Sequence, residues 1–226
     1  MIKKVFFDLD DTILDFKKAE AVAVSKTLAE QGIEPTSKTV ERYSEINASM
    51  WRRLEKGELT RAEVLVNRFA QLFVELGVDC SAAETKEKYE KNLSEGHFFI
   101  NGAYELLENL SKKYDLYLVS NGTFVVQEGR LNSSGIKKFF KEIFISEKLG
   151  FVKPQKEFFN AVFEKILDFK NEDAIIIGDS LSSDIKGGNN AGIKTCWFNP
   201  KHFENNTDAI VDYEIHSLQE IYDILK

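Results

Sequence analysis

Lys4-Val5-Phe6-Phe7-Asp8-Leu9-Asp10-Asp11-Thr12 opens the chain with a short β-type run, Val5-Phe6-Phe7, that ends directly in acidic residues. Four similar runs follow, at residues 116–119, 143–145, 174–177 and 195–198. Each is short and largely apolar, and a helix-compatible stretch separates it from the next. Continuous apolar strands alternating with helices indicate a parallel sheet covered on both faces. The expected fold class is therefore α/β, a Rossmann-like parallel sheet core with helices on both faces. Ser217 and Glu220 have the spacing of a capping box and predict a last helix.

Residues 15–97 break the alternation. No convincing strand occurs there, whereas Ala21-Val24-Leu28 and Val64-Phe69-Leu72-Phe73-Leu76 are spaced as helix faces. Gly32-Ile33-Glu34-Pro35, Lys56-Gly57 and Gly77-Val78-Asp79 are the expected helix breaks. The reading is a core made of residues 1–14 and 98–226 with a helical cap, residues 15–97, inserted after the first strand. Ligands of open parallel sheets bind beyond the carboxyl ends of the strands. Three such ends carry Asp8-Leu9-Asp10, Ser120-Asn121-Gly122 and Gly178-Asp179, and an insertion leaving after the first would cover them as a lid.

Composition narrows the function classes. A chain of 226 residues with 43% hydrophobic and 30% charged residues supports a packed core rather than disorder. Lys+Arg 30 against Asp+Glu 37 gives a net charge of -7, which argues against a nucleic-acid polymer or an anionic membrane as partner. An anionic substrate must then be attracted locally, by a metal or a few placed cations. Cys80 and Cys196 lie far apart with no metal-ligand spacing, so a reducing compartment is expected. The apolar N-terminus is interrupted at Asp8, Asp10 and Asp11, unlike a signal peptide, and no apolar run is long enough to span a bilayer. The expectation is a cytoplasmic protein, monomeric or a small homo-oligomer.

Four stretches carry chemistry. Asp8 and Asp10, two residues apart at a strand end, crowd negative charge that a cation would relieve, and Mg²⁺ suits hard oxygen ligands. A carboxylate held by a metal is able to attack phosphorus, while a second one moves protons. The alternative is an acidic turn that caps the next helix. Ser120-Asn121-Gly122 offers a hydroxyl and backbone N–H groups as a neutral anion cradle, although the same residues make ordinary turns. Lys153, kept extended by Pro154, is placed to neutralise phosphoryl charge; most lysines are merely solvated. Asp179 follows an apolar strand as Asp8 does, with Asp184 five residues on, though Ser182 or Ser183 could simply cap a helix. Gly187-Gly188 reads as close helix–sheet packing.

In this order the elements resemble the four motifs of the haloacid dehalogenase-like hydrolase superfamily: Asp8-Leu9-Asp10-Asp11-Thr12, Ser120, Lys153 and Gly178-Asp179 with Asp184. The resemblance covers the whole chain, since the insertion matches the family's helical cap. It implies Asp8 as nucleophile, Asp10 as acid and base, and Mg²⁺ held by Asp8, Asp179 and the Asp10 main-chain carbonyl. It also implies Ser120 and Lys153 on the transferred phosphoryl group, with Asn121 in the same cradle, and Thr12 and Asp184 as supports.

Dehalogenases of the superfamily lack an acid at the position of Asp10, so phosphoryl chemistry is expected. The family's sugar-phosphate mutases usually carry Glu-Asp where this chain has Gly178-Asp179. The opening Phe6-Phe7-Asp8-Leu9-Asp10-Asp11-Thr12-Ile13-Leu14-Asp15-Phe16 and the stretch from Ala191 to Pro200 are similar to a pyrimidine 5′-nucleotidase subgroup. N-acylneuraminate-9-phosphatases and phosphoglycolate phosphatases share much of this pattern. The expected activity is Mg²⁺-dependent hydrolysis of a small phosphate monoester through an aspartyl-phosphate, with nucleoside 5′-monophosphates favoured. Tyr43, Trp51, Arg52 and Phe69 could touch a substrate, but at helical spacing they read equally as core or solvated face. A receiver-like phospho-acceptor module also uses Asp, hydroxyl, Lys and Mg²⁺, yet needs neither Asp10 nor a large helical insertion. A binding protein on an old enzyme scaffold is disfavoured, because every chemical position is filled.

Overall fold

In the computed structural model, which describes residues 1–225, each expected apolar run is a strand. The strands are β1 (Lys4–Phe7), β2 (Asp115–Ser120), β3 (Glu142–Ile145), β4 (Ala174–Gly178) and β5 (Lys194–Phe198), joined by a sixth, β6 (Tyr213–Ile215). All pair in parallel, in the order β3-β2-β1-β4-β5-β6. β6 is an addition to the five strands expected. Its three residues are half-buried, exposed and buried in turn, so no continuous apolar run announces it.

Side chains alternate across the sheet. Val5, Phe7, Leu118, Ile177 and Phe198 enter one apolar layer, while Phe6, Val119, Phe144 and Ile176 enter the other. α5 (Ala103–Leu110), α6 (Phe124–Ser134) and α10 (Ile221–Ile224) follow the first layer; α7 (Ser146–Leu149), α8 (Lys156–Phe163) and α9 (Lys186–Ala191) follow the second. The Ser217–Glu220 capping box is present ahead of α10. α9 lies so close to the sheet that a Cβ on Gly188 would come within 2.6 Å of methyl groups of Ile176 and Thr195. Only glycine tolerates that approach.

Between β1 and α5 the chain forms α1 (Phe16–Glu30), α2 (Ser37–Glu55), α3 (Arg61–Leu76) and α4 (Ala82–Ser94), with breaks at the three expected places. These helices enclose an apolar cluster of their own, including Val24, Leu28, Phe69 and Leu72. Tyr43 and Phe69 stack with ring centroids 5.0 Å apart, and Tyr89 sits 5.4 Å from each. Tyr43 and Phe69 are therefore core, whereas Trp51 and Arg52 face a cavity. The insertion is tied to the core where it leaves and returns, by Asp15 N–H donating to the Phe98 carbonyl and Ile100 N–H to that of Ile13. Among the described residues no helix is long and apolar enough to cross a membrane.

The chain fills the sheet from β1 through β2 to β3, then crosses back to place β4 on the other side of β1. The carboxyl ends of β1 and β4 therefore flank the point where strand order reverses, the place where open α/β sheets bind ligands.

Candidate active site

The acidic run after β1 divides into two jobs. Asp11 takes a left-handed conformation, φ 55°, uncommon outside glycine. Its carboxylate accepts the N–H groups of Phe16 and Lys17, and that of Asp15 accepts Lys18 N–H. These two carboxylates cap α1. Asp8 and Asp10 do not. Asp8 is buried and faces Lys153, whose Nζ has three oxygen partners: Asp8 Oδ1 at 2.6 Å, Asp184 Oδ1 at 2.7 Å and the Val119 carbonyl at 2.8 Å. Lys153 is itself buried, so all three ammonium protons are used and the side chain is held rather than solvated.

Carboxylate oxygens of Asp8, Asp179 and Asp184 all lie within 4.8 Å of one another. Three carboxylates against one ammonium leave two negative charges without compensation. Burial, the largest influence, pushes the Asp8 carboxyl up to about 8, with Lys153 pulling it down and Asp184 and Asp10 adding to the rise. Burial and the neighbouring Asp184 and Asp8 likewise raise Asp179 well above the carboxylate range. Burial works against the charge on Lys153, but Asp184 and Asp8 outweigh it and hold the ammonium protonated. A hard divalent cation is what this oxygen set lacks, and the residues fit one. Trp197 Nε1–H fixes the Asp179 carbonyl at 2.9 Å, and the Thr12 hydroxyl stands 3.5 Å from Asp179 Oδ1, the limit of a hydrogen bond.

The Ser120 loop is organised for an anion. Ser120 Oγ accepts Gly122 N–H at 3.1 Å and Gln127 Nε2–H at 2.9 Å, which leaves its own proton to donate. A Cβ at position 122 would overlap the Gln127 amide, so Gly122 makes room for that side chain. The Asn121 side chain, expected in the cradle, is committed elsewhere. Its Oδ1 accepts Lys153 N–H at 2.8 Å and its Nδ2 donates to the Lys153 carbonyl at 2.9 Å, so it clamps the lysine loop. The Asn121 and Gly122 carbonyls accept from Arg61 Nη1, and Ser146 Oγ from its Nη2, tying α3 to the strand ends.

Asp10 points away from the three clustered carboxylates. Its Oδ2 accepts Gln127 Nε2–H at 2.6 Å and its Oδ1 forms an ion pair with Arg130, whose side chain is buried and whose Nε donates to the Gly96 carbonyl. Both side-chain oxygens of Asp10 are thus engaged outside the three-carboxylate cluster. Gln127, Arg130 and Arg61 are absent from the sequence reading, and Trp197 enters it only within the strand run and the stretch from Ala191 to Pro200, not as a site residue. Gln127 and Arg130 stand three apart on α6, hence on one face, and that spacing just after the Ser120 turn is the signal that could have found them.

Above the strand ends lies a cavity of about 430 Å³, lined by Asp8, Asp10 and Asp179 below and by Trp51, Arg68 and Tyr89 of the insertion above.

Residues 5–198 match the family described as haloacid dehalogenase-like hydrolase. The chain is 47% identical to HAD-hydrolase YfnB of Bacillus subtilis, over 99% of this chain and 95% of the relative. It is 39% identical to pyrimidine 5′-nucleotidase PynA of Streptococcus pneumoniae, over 99% and 94%. A crystal structure of YfnB bound to magnesium, which reveals interdomain movement in that protein, superposes with a TM-score of 0.95 over 100% of this chain and 99% of the other. L-2-haloacid dehalogenase of Xanthobacter autotrophicus shares the fold, with a TM-score of 0.80 at 15% identity, over 100% of this chain and 98% of that one. Motif order, strand-end geometry and these likenesses agree: the chain belongs to the haloacid dehalogenase-like hydrolases.

Proposed function

We propose that the chain is a Mg²⁺-dependent phosphomonoester hydrolase that acts on nucleoside 5′-monophosphates, pyrimidine ones foremost, through an aspartyl-phosphate on Asp8. The observation that carries this reading is the division of labour among the acids. Asp8 sits with Asp179, Asp184 and Lys153, while Asp10 is held apart by Gln127 and Arg130. A nucleophile and a separate proton carrier are what a two-step phosphoryl transfer needs.

Mg²⁺ held by Asp8, Asp179 and the Asp10 carbonyl, with Asp184 alongside, supplies the positive charge that offsets repulsion between carboxylate and phosphate. An Asp8 carboxylate oxygen attacks phosphorus in line with the ester oxygen. Ser120 Oγ–H, Lys153 Nζ and the main-chain N–H of Asn121 neutralise the transferring oxygens. As the P–O ester bond breaks, Asp10, carrying the proton taken from water in the preceding turnover, gives it to the departing 5′-oxygen, and the nucleoside leaves with a free hydroxyl. Water then attacks the phosphorus of the acyl phosphate, Asp10 takes the water's proton, and Asp8 is regenerated with release of phosphate. The helical insertion acts as the lid that keeps bulk water from this exchange. The names of the pyrimidine 5′-nucleotidase relatives and the size of the cavity, within the range of small-molecule sites, support a nucleoside as leaving group.

Hydrolysis of an aryl phosphate should vanish with chelator and return with Mg²⁺. In a side-by-side screen of 5′-mononucleotides, sugar phosphates and phosphoglycolate, pyrimidine mononucleotides should give the highest kcat/KM. A preference for sugar phosphates would refute the nucleotidase assignment and leave the phosphatase reading standing.

Proton and cation compete for Asp8. Its folded-state value, about 8, exceeds its ordinary 3.8, so the metal-free fold binds this proton more tightly than the unfolded chain does. That contribution to stability is present at low pH and is lost as pH rises through about 8. Below that value Mg²⁺ displaces a proton from Asp8, and above it none from that residue. The Mg²⁺-induced rise in Tm should therefore be larger near about pH 8.5 than near about pH 6.5, with apparent affinity weakening up to about tenfold per pH unit between them. Thermal melts with and without Mg²⁺ test this, and an equal rise at both pH values would show that Asp8 holds no proton to displace.

A further inference from the structure

The upper wall of the cavity contains a polar relay that the phosphoryl chemistry does not use. Glu20 on α1 is buried and accepts from Ser44 Oγ and from Asn47 Nδ2, both at 2.6 Å. Asn47 Oδ1 in turn accepts from Arg68 Nη1 at 2.9 Å. Arg68 is 3% exposed, and its guanidinium lies 4.7 Å over the Tyr89 ring. Its Nε donates to the Leu65 carbonyl, but Nη2 makes no hydrogen bond among the described residues. Unlike the orphaned nitrogen of Arg130, Nη2 is not sealed off, and Arg68 lines the cavity. A nearly buried guanidinium with an unmet donor is costly unless something in the cavity accepts from it.

Charge decides what that partner is. Glu20 balances Arg68 through Asn47, and burial, which outweighs the Ser44 and Asn47 bonds and the Arg68 charge, holds the Glu20 carboxyl above its ordinary range. Besides Glu20 and Arg68, the lining away from Asp8, Asp10 and Asp179 carries Asp11, Glu55 and Glu90 against Lys17 and Arg52, so acids still outnumber cations there. A carboxylate or second phosphate would be repelled there, whereas a neutral carbonyl oxygen would satisfy Nη2. Trp51, Leu93 and Val126 give the same space flat and apolar walls, suited to a ring.

We propose that Arg68, oriented by Asn47 and Glu20, is a specificity-determining residue that donates to a carbonyl oxygen on the base of the leaving nucleoside. The site thereby selects neutral leaving groups whose ring bears a carbonyl oxygen over those that carry a second anion. This rests on the phosphatase reading and adds the group that reads the leaving group.

The test compares kcat/KM for uridine 5′-monophosphate, ribose 5-phosphate and phosphoglycolate in the wild type, Arg68→Met and Arg68→Lys. The wild type should prefer the nucleotide to both others. Arg68→Met should lower the ratio of nucleotide to ribose 5-phosphate by roughly 10- to 100-fold, the loss of a hydrogen bond from a charged donor, and Arg68→Lys should restore part of it. A loss shared equally by both substrates would show that Arg68 only holds the fold, and overturns the proposal. If Arg68→Met does not fold, the wild-type ratio of nucleotide to phosphoglycolate decides, and a value at or below one overturns it. Failure of the wild type on all three esters, and on an aryl phosphate with Mg²⁺, would instead refute the phosphatase reading beneath it.

Discussion

Asp8→Asn should abolish turnover, by at least about 10⁴-fold, while the protein stays folded. Asparagine has the size of aspartate and keeps an oxygen facing Lys153 Nζ, now 2.6 Å from Asp8 Oδ1. It cannot form an acyl phosphate. Because burial already pushes the Asp8 carboxyl up to about 8, a neutral side chain suits the metal-free pocket. The Tm without Mg²⁺ should be unchanged or higher, and the stabilisation by Mg²⁺ should shrink, since the metal loses a charged ligand. Initial rates on an aryl phosphate and paired thermal melts measure both effects. Activity retained within about tenfold would remove Asp8 from the nucleophile's role.

Lys153→Met should be the most destabilising single change at the site. The lysine is one of the largest fully buried side chains and the only cation bonded to Asp8 and Asp184 among the described residues. Removing one partner of a buried ionic group leaves the other charges uncompensated, at about 3–5 kcal/mol. It also frees the Val119 carbonyl, which now accepts from Nζ at 2.8 Å. Urea unfolding without metal should show this loss, and Mg²⁺ should recover more stability in the variant than in the wild type, because it then offers the only positive charge there. Turnover should fall roughly 10²–10³-fold even with saturating Mg²⁺, as expected for one electrostatic contact to the transferring group. A destabilisation below about 1 kcal/mol would mean that the cluster does not depend on the lysine's charge.

The parts legible in the sequence are those set by local pattern. Five strands could be read because Val5-Phe6-Phe7 and its counterparts are buried on both faces, which demands continuous apolar runs. β6 escaped because only Ile215 of its three residues is fully buried, so no apolar run marks it. Asp8, Lys153 and Asp179 stood out as polar residues where apolar strands end or before a proline. The capping task of Asp11 and Asp15 was hidden, because it depends on the left-handed turn at Asp11 that sends both carboxylates to α1. The task of the Asn121 side chain was hidden for a similar reason. Its place in the turn suggested a phosphate ligand, while its side chain pairs with a loop 32 residues away. Gln127 and Arg130 could be found only through their spacing on α6, and Arg68 carried no signal at all, because a lone polar residue in a helix usually faces solvent and all three are buried by tertiary packing.

The central claim is that Asp8 carries the phosphoryl group between two half-reactions, and rapid acid quenching during turnover of a pyrimidine nucleoside monophosphate tests it most directly. With Mg²⁺ present, peptide mass spectrometry should find a hydroxylamine-sensitive phosphoryl group on the Asp8 peptide in the wild type and in Asp10→Asn, where its breakdown is slowed. Full turnover with no labelled peptide at any quench time, or a label on another residue, would contradict the account.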